Sequence, residues 1–156
     1  AASDGGATAE EWAMRALLLV LVVLCSSANA LAAECEGATE GQSEAMAAVD
    51  VAVTTAVSVE LLKRTFKEPR PEGSTSSGYA FPSGDATLAF ALARVADEHH
   101  PKQRTLWYLI AAGVAWSRVA ENAHDWEDVI AGAALGNYIG QQSLSRGGVL
   151  IRRWEW

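Results

Sequence analysis

The strongest limit on how this chain can fold comes from its prolines, which stand at Pro69, Pro71, Pro82 and Pro101. Proline starts or stops helices and is poorly tolerated inside them. The segments between and beyond these positions are long and rich in alanine and valine, which favours helices over strands. The sequence therefore predicts four helices, at about residues 45–66, 82–98, 102–119 and 124–142.

The predicted fold is all-α, a compact bundle of about four core helices in a single domain. A chain of 156 residues can bury a core without disulfide bonds, and 50% apolar with 20% charged residues is typical of a folded domain. We expect this domain at residues 34–142. A basic, aromatic tail follows at residues 143–156, with three open interpretations: an interfacial anchor, a short strand pair or a frayed end.

Residues 1–33 have the features of a leader with a signal peptide. Met14, a candidate for the true start of translation, and Arg15 precede the apolar run 16–24, and small residues follow. The run is shorter than the roughly 20 residues of a spanning helix. Cleavage between Ala30 and Ala33 is expected, with an uncleaved anchor as the alternative. Export predicts a periplasmic or membrane-associated protein if the source is bacterial.

Charge and composition exclude several classes of function. The net charge of −7 is opposite to that of most nucleic-acid-binding proteins. The two cysteines form no CxxC pair, and the three histidines have none of the spacings of a metal site. No nucleic acid, metal or cofactor is therefore expected as a partner.

Three polar clusters follow one another along the chain, and each is weak when taken alone. They are Lys63-x6-Arg70-Pro71, Pro82-Ser83-Gly84-Asp85 and Ser117-Arg118-x5-His124-x3-Asp128. In this order they resemble the three-part signature of the type-2 phosphatidic acid phosphatase and vanadium haloperoxidase superfamily. The resemblance runs from Lys63 to about Gly136. The short gaps between clusters disfavour the haloperoxidase branch and fit a small lipid-phosphate or acid phosphatase.

The residue types suit a phosphate site at one end of the bundle, where helix starts and loops converge. Lys63, Arg70 and Arg118 are cations suited to phosphate oxygens. Ser83 and Gly84 lie at a predicted helix start, where backbone N–H groups attract anions and the absence of a side chain allows close approach. These five residues are the predicted phosphate-binding set.

His124, Asp128 and Asp85 are the predicted catalytic residues. Asp128, four residues after His124, can bind one ring nitrogen and leave the other free to attack. The resemblance implies that His124 forms a phosphohistidine, which water then hydrolyses without a metal.

Asp85 departs from the family pattern, which has histidine there as the general acid. His99 and His100 are poor substitutes, because fourteen helical residues place them about 21 Å away. One interpretation is an enzyme for diphosphates, whose leaving phosphate needs little protonation, with Asp85 activating water. The other is a weakened relative that binds phosphate groups.

The expected partner is a phosphorylated lipid or a small phosphate substrate, and the oligomeric state is not predicted. A soluble or peripherally attached bundle is favoured over a membrane-crossing one, because Asp50 and Glu60 are costly in lipid. A rival hypothesis is a lipid-phosphate-binding module held at a membrane surface by Trp154 and Trp156. A purely structural bundle, the third hypothesis, would bind no phosphate.

Overall fold

The computed structural model describes residues 43–149. It contains four α-helices, and a 3-10 turn at Pro101–Gln103 joins the second to the third. The helices are α1 (Glu44–Phe66), α2 (Gly84–His99), α3 (Arg104–Ala120) and α4 (Trp126–Arg146). The all-α prediction is confirmed for this part of the chain. The predicted leader, Met14 and the residues after Val149 lie outside the described residues, so the domain boundaries stay predictions.

The limits of α4 differ most from the predicted ones. The helix begins at Trp126 with Asp125 as its N-cap, so His124 precedes the helix. The predicted end at Gln142 is wrong, because the helix continues to Arg146 and takes in the start of the predicted tail. Nothing in that last turn breaks a helix until Gly147, which adopts a left-handed conformation with φ 65° and caps the end.

Successive helices run in opposite directions, so the bundle has two ends. We call the one formed by residues 63–85 and 117–128 the loop end. The other, formed by residues 43–50, 97–104 and 143–149, is the distal end. Helix α2 is central and packs against the other three helices. Segments far apart in sequence are thereby brought together at each end.

The core is built from small side chains, which lets the helices approach closely. Ala47 and Val51 of α1 pack against Ala91 and Val95 of α2 and Ile139 of α4. The packing of α4 on α2 is closer still. It depends on three glycines spaced one turn apart, Gly132, Gly136 and Gly140.

At these glycines the backbone of α4 lies directly on that of α2. A Cβ atom at Gly132 would lie 2.6 Å from the carbonyl oxygen of Ser83, and one at Gly136 would overlap the carbonyl of Thr87. Any side chain there would separate the two helices. This seam fixes the start of α2 against the start of α4.

The outer face of α1 is apolar and exposed. Val49, Val53, Val57 and Leu61 recur every four residues and so form one stripe along the helix. Within residues 43–149, α1 is the helix whose length and apolar composition would suffice to cross a membrane, and a third of that stretch is buried in the bundle.

Candidate active site

The loop end brings the three predicted clusters together. Lys63 lies in the last turn of α1, and Arg70 in the following loop. Ser83 and Asp85 stand at the start of α2, and Arg118 in the last turn of α3. His124 and Asp128 flank the start of α4. A chain of contacts links these segments, although each comes from a different part of the sequence.

His124 and Asp128 form a buried pair, as their spacing predicted. Nδ1 of His124 lies 3.2 Å from Oδ2 of Asp128, and the two residues are 4% and 1% exposed. The same carboxylate oxygen accepts the backbone N–H of Asp125 at 3.2 Å, in a capping box that fixes its position. A carboxylate at Nδ1 favours the proton there, which leaves Nε2 with a lone pair.

Arg70 stands against the other nitrogen of that ring. Its Nη1 lies 3.3 Å from Nε2 of His124 and donates to the carbonyl of Ala123 at 2.6 Å. Its Nε donates to the carbonyl of Ser77 at 3.1 Å. A phosphate held by this guanidinium would therefore lie beside Nε2, the ring nitrogen that keeps its lone pair.

Lys63 holds the segment that leads into α2. Its Nζ donates to the carbonyl oxygens of Tyr79 at 2.6 Å and Ala80 at 3.5 Å. Burial lowers the pKa of Lys63 below its ordinary value of 10.5, and the charge of Arg70 lowers it further. Carboxylates that include Asp128 oppose this shift.

Ser83 is the N-cap of α2 and is fully buried, but it does not cap the helix through its side chain. Serine is a common N-cap residue whose hydroxyl usually accepts a backbone N–H of the first turn, and that contact is missing here. Oγ has no hydrogen-bond partner within residues 43–149, while the backbone N–H donates to the carbonyl of Asp128 at 3.0 Å. A buried hydroxyl without a partner is costly, and a bound phosphate would supply one.

Gly84 opens α2, where the first N–H groups have no acceptor within the helix. A Cβ atom at this position would lie 3.4 Å from Cγ1 of Val59, which is ordinary contact. The prediction that the missing side chain of Gly84 lets a phosphate approach the backbone closely is therefore a statement about ligand binding and not about helix packing. No steric limit inside the bundle requires glycine there.

Arg118 is bound differently from the other two cations, because two carboxylates share it. Nη1 lies 3.3 Å from Oδ2 of Asp85, and Nη2 lies 2.9 Å from Oε2 of Glu121. The Asp85 side chain is 60% exposed. The sequence prediction missed Glu121, although its place three residues after Arg118, just past the predicted end of the third helix, was a usable signal.

Asn122 is a second residue that the sequence prediction missed. Its Nδ2 donates to the carbonyl of Glu72 at 2.7 Å, which ties the loop after Arg70 to the connection between α3 and α4. Its φ of 53° is left-handed, which asparagine tolerates better than most residues. An asparagine between two predicted helices was therefore the available signal for a tight turn at this position.

The two remaining histidines lie far from this site. His99 ends α2 at the distal end, and Nε2 of His100 lies 3.3 Å from Glu44 there. This placement agrees with the prediction that neither histidine can replace the general acid. Within residues 43–149, no three His, Cys, Asp or Glu side chains are grouped to hold a metal ion.

Comparison with known proteins agrees with this arrangement of helices. The solved structure of a transmembrane PAP2-type phosphatidylglycerolphosphate phosphatase from Bacillus subtilis has a similar fold, with a TM-score of 0.52 and 23% sequence identity. The likeness covers 85% of this chain and 68% of that protein. No curated protein sequence matches the chain. The sequence pattern of the PAP2 superfamily matches residues 44–145, so the chain belongs to the PAP2 superfamily.

Proposed function

We propose that the loop end hydrolyses a phosphate ester or diphosphate through a covalent phosphohistidine on His124. The observation that carries this proposal is the line Asp128–His124–Arg70. Asp128 holds Nδ1 at 3.2 Å, and Arg70 lies 3.3 Å from Nε2. Phosphoryl transfer to a side chain requires a nucleophile whose orientation is fixed by a second group and which faces a cation that binds the phosphate. Asp128 and Arg70 stand in these two positions relative to His124.

In the first step, the Nε2 lone pair of His124 attacks phosphorus, and the bond from phosphorus to the leaving oxygen breaks. The departing oxygen keeps the electron pair. In the second step, water attacks the phosphorus of the phosphohistidine, the phosphorus–nitrogen bond breaks, and inorganic phosphate leaves. Lys63, Arg70 and the first N–H groups of α2 stabilise the negative charge on the equatorial oxygens in both steps.

Asp85 determines which leaving groups suit this site. A carboxylate that accepts from Arg118 at 3.3 Å is better placed to accept a proton than to donate one. An alkoxide that leaves from a monoester needs a proton, whereas a phosphate that leaves from a diphosphate needs little help. We therefore favour diphosphate substrates, with Asp85 accepting a proton from water in the second step.

A lipid substrate is supported by the apolar surface of the bundle. Val49, Val53, Val57 and Leu61 expose one face of α1, and such a surface marks contact with lipid or with another protein. The Bacillus subtilis protein of similar fold is named as a transmembrane phosphatase of phosphatidylglycerolphosphate. We accordingly propose a membrane-associated enzyme for lipid phosphates, on the periplasmic side if the leader directs export.

A second candidate is a phosphate-binding module without turnover. It is favoured by Arg118, which two carboxylates already occupy, and by Asp85, which the family pattern would replace with histidine. Such a module would keep Lys63 and Arg70 for binding. It would not need the His124–Asp128 pair.

The test measures phosphate release from a polyprenyl diphosphate and from a lipid monophosphate in detergent, with chelator present. We expect release from the diphosphate, much slower release from the monophosphate, and none with His124→Ala. His100→Ala is the matched control at the distal end and should keep the activity.

Other outcomes separate the candidates. No release from either substrate by a folded protein that still binds inorganic phosphate would favour the binding module. Neither release nor binding would indicate a structural bundle. Release that needs an added metal ion would contradict the metal-independent mechanism.

A further inference from the structure

Two exposed tryptophans lie side by side on the outside of the loop end. Trp116 and Trp126 are 62% and 52% exposed, and their ring centroids are 5.5 Å apart. Trp116 precedes Arg118 by two residues on α3, and Trp126 follows His124 by two residues as the first residue of α4. Each ring is therefore attached to a segment that also carries a residue of the candidate site.

The apolar surface extends beyond the two rings. Ile130, one turn after Trp126 on α4, is 63% exposed. We call Trp116, Trp126 and Ile130 the tryptophan patch. Apolar area exposed to water is unfavourable, so a cluster of large side chains left in water points to a partner that covers it.

The surface next to the patch on α3 is also free of charge. Residues 105–117 contain no acidic, basic or histidine residue, which amounts to about 20 Å of helix. Leu109 and Ile110 lie in this stretch and are exposed. The charged residues of α3 are thus confined to its two ends, and the patch lies where the uncharged stretch meets the polar loop end.

This position fits a bilayer interface better than a protein partner. Tryptophan concentrates at the boundary between headgroups and acyl chains, because its ring is apolar and its N–H is polar. A stable protein interface buries about 800 Å² on each partner, whereas two tryptophans and one isoleucine provide well under that area. The patch alone is too small for a dimer contact.

We propose that the tryptophan patch inserts into the boundary between headgroups and acyl chains of a lipid bilayer and holds the loop end at the depth of the lipid phosphates. This inference rests on the proposed function, in that the site acts on lipid phosphates. A membrane-embedded substrate then reaches His124 without leaving the bilayer, and a water-soluble substrate gains nothing from the patch.

The experiment uses the full chain and compares two substrates with the same phosphate headgroup. One has long chains and is embedded in phosphatidylcholine vesicles, and the other has short chains and is dissolved below its micelle concentration. The double variant W116A/W126A should lower kcat/KM for the vesicle substrate by about tenfold, as expected when apolar insertion is lost. It should leave the soluble substrate within about twofold of the unchanged chain. Leu106→Ala, which truncates an exposed apolar residue at the other end of α3, is the matched control and should change neither rate.

A second measurement is independent of turnover. Brominated phosphatidylcholine should quench more of the tryptophan fluorescence in the unchanged chain than in W116F/W126F. Equal quenching in the two proteins, or equal loss of both rates in W116A/W126A, would overturn the proposal. Light scattering tests the alternative of a second copy of the chain. The patch would be assigned to a second copy if the unchanged chain is a dimer, W116A/W126A is a monomer, and quenching is equal in the unchanged chain and W116F/W126F. If the unchanged chain hydrolyses neither substrate, the proposed function fails, and the quenching comparison alone decides the role of the patch.

Discussion

The two ends of the bundle use the same kinds of charged residue in opposite ways. At the distal end, Arg104 donates through two nitrogens to both oxygens of Asp97, each at 2.8 Å. Also at this end, Arg94 donates to Glu98 at 3.0 Å. At the loop end, by contrast, Lys63 and Arg70 donate to backbone carbonyls, and Arg70 also faces a ring nitrogen. Carbonyls and imidazole carry no full charge, so these contacts orient the two cations without neutralising them, and they remain attractive to an anion.

Arg118 lies at the loop end but pairs with carboxylates, as the arginines of the distal end do. Two carboxylates, Asp85 and Glu121, already occupy its guanidinium. If Asp85 were histidine, Arg118 would have one acidic partner fewer. The identity of residue 85 therefore bears both on the expected proton donor and on the charge that a phosphate would meet.

The largest expected effect comes from the seam that connects the two ends. Gly136→Ala places a Cβ atom on the carbonyl of Thr87, where backbone cannot yield. We expect a loss of at least about 3 kcal/mol in unfolding free energy, the upper part of the range for overpacked cores. Loss of activity should accompany the loss of fold, measured by thermal unfolding and phosphate release.

Gly113→Ala is the matched control for that substitution. Gly113 lies inside α3 with no neighbouring atom within 4 Å of the added Cβ. Alanine there should raise the unfolding free energy by about 0.4–1 kcal/mol. Equal destabilisation by the two variants would show that the close packing of α4 on α2 is not what holds the site together.

The next effect separates the buried aspartates of the two ends. Asp128→Asn should lower kcat by about 10²–10⁴-fold, because the amide no longer holds the proton of His124 at Nδ1. Asp97→Asn should leave the kcat of the folded protein unchanged and lower its melting temperature. Similar kinetic losses in both variants would contradict the division of roles.

Asp97 should also make the unfolding free energy depend on pH in the acid range. The hydrogen bond from Arg104 lowers the pKa of Asp97 below its ordinary value of 3.8. The stabilisation is therefore complete above pH 3.8 and is lost as the pH falls through the folded-state pKa. Acid unfolding monitored by circular dichroism should show this pH dependence in the unchanged chain and lack it in Asp97→Asn.

Asp85→His should give a smaller and opposite effect at the loop end. Supplying a general acid is expected to raise kcat/KM for a lipid monophosphate by up to about 100-fold, with little change for a diphosphate. Glu121→His is the control, because it removes the other carboxylate partner of Arg118 without placing histidine at the start of α2. An equal gain in both variants would assign the effect to charge and not to proton donation.

The smallest predicted effect concerns the pH dependence of Lys63. Because its pKa is lowered, it loses its charge at a pH below the ordinary lysine value of 10.5. kcat/KM should then fall on the alkaline side as a phosphate-binding cation is lost from the free enzyme. Lys63→Arg should move that fall to higher pH, since arginine stays charged. An unchanged alkaline limb would mean that another group causes it.

The four helices were predictable because the residues that start and stop a helix are local in the sequence. Prolines and alanine-rich runs placed the helix limits within two residues, except for the end of α4, where the cap is Gly147. The order of the clusters predicted which residues meet at the loop end, and their roles stay predictions. The partners of Lys63, the ion pair of Arg118 with Asp85 and the unpartnered hydroxyl of Ser83 were not predictable, because they depend on how distant segments pack at the loop end.

The central claim is that His124 carries the phosphoryl group during turnover. The most direct test is rapid quenching of the chain with a diphosphate substrate labelled on its terminal phosphate, followed by mapping of the modified peptide. We predict an alkali-stable, acid-labile label on His124 that is absent in His124→Ala and retained in His100→Ala. Turnover without a label on His124, or turnover by His124→Ala, would contradict the account.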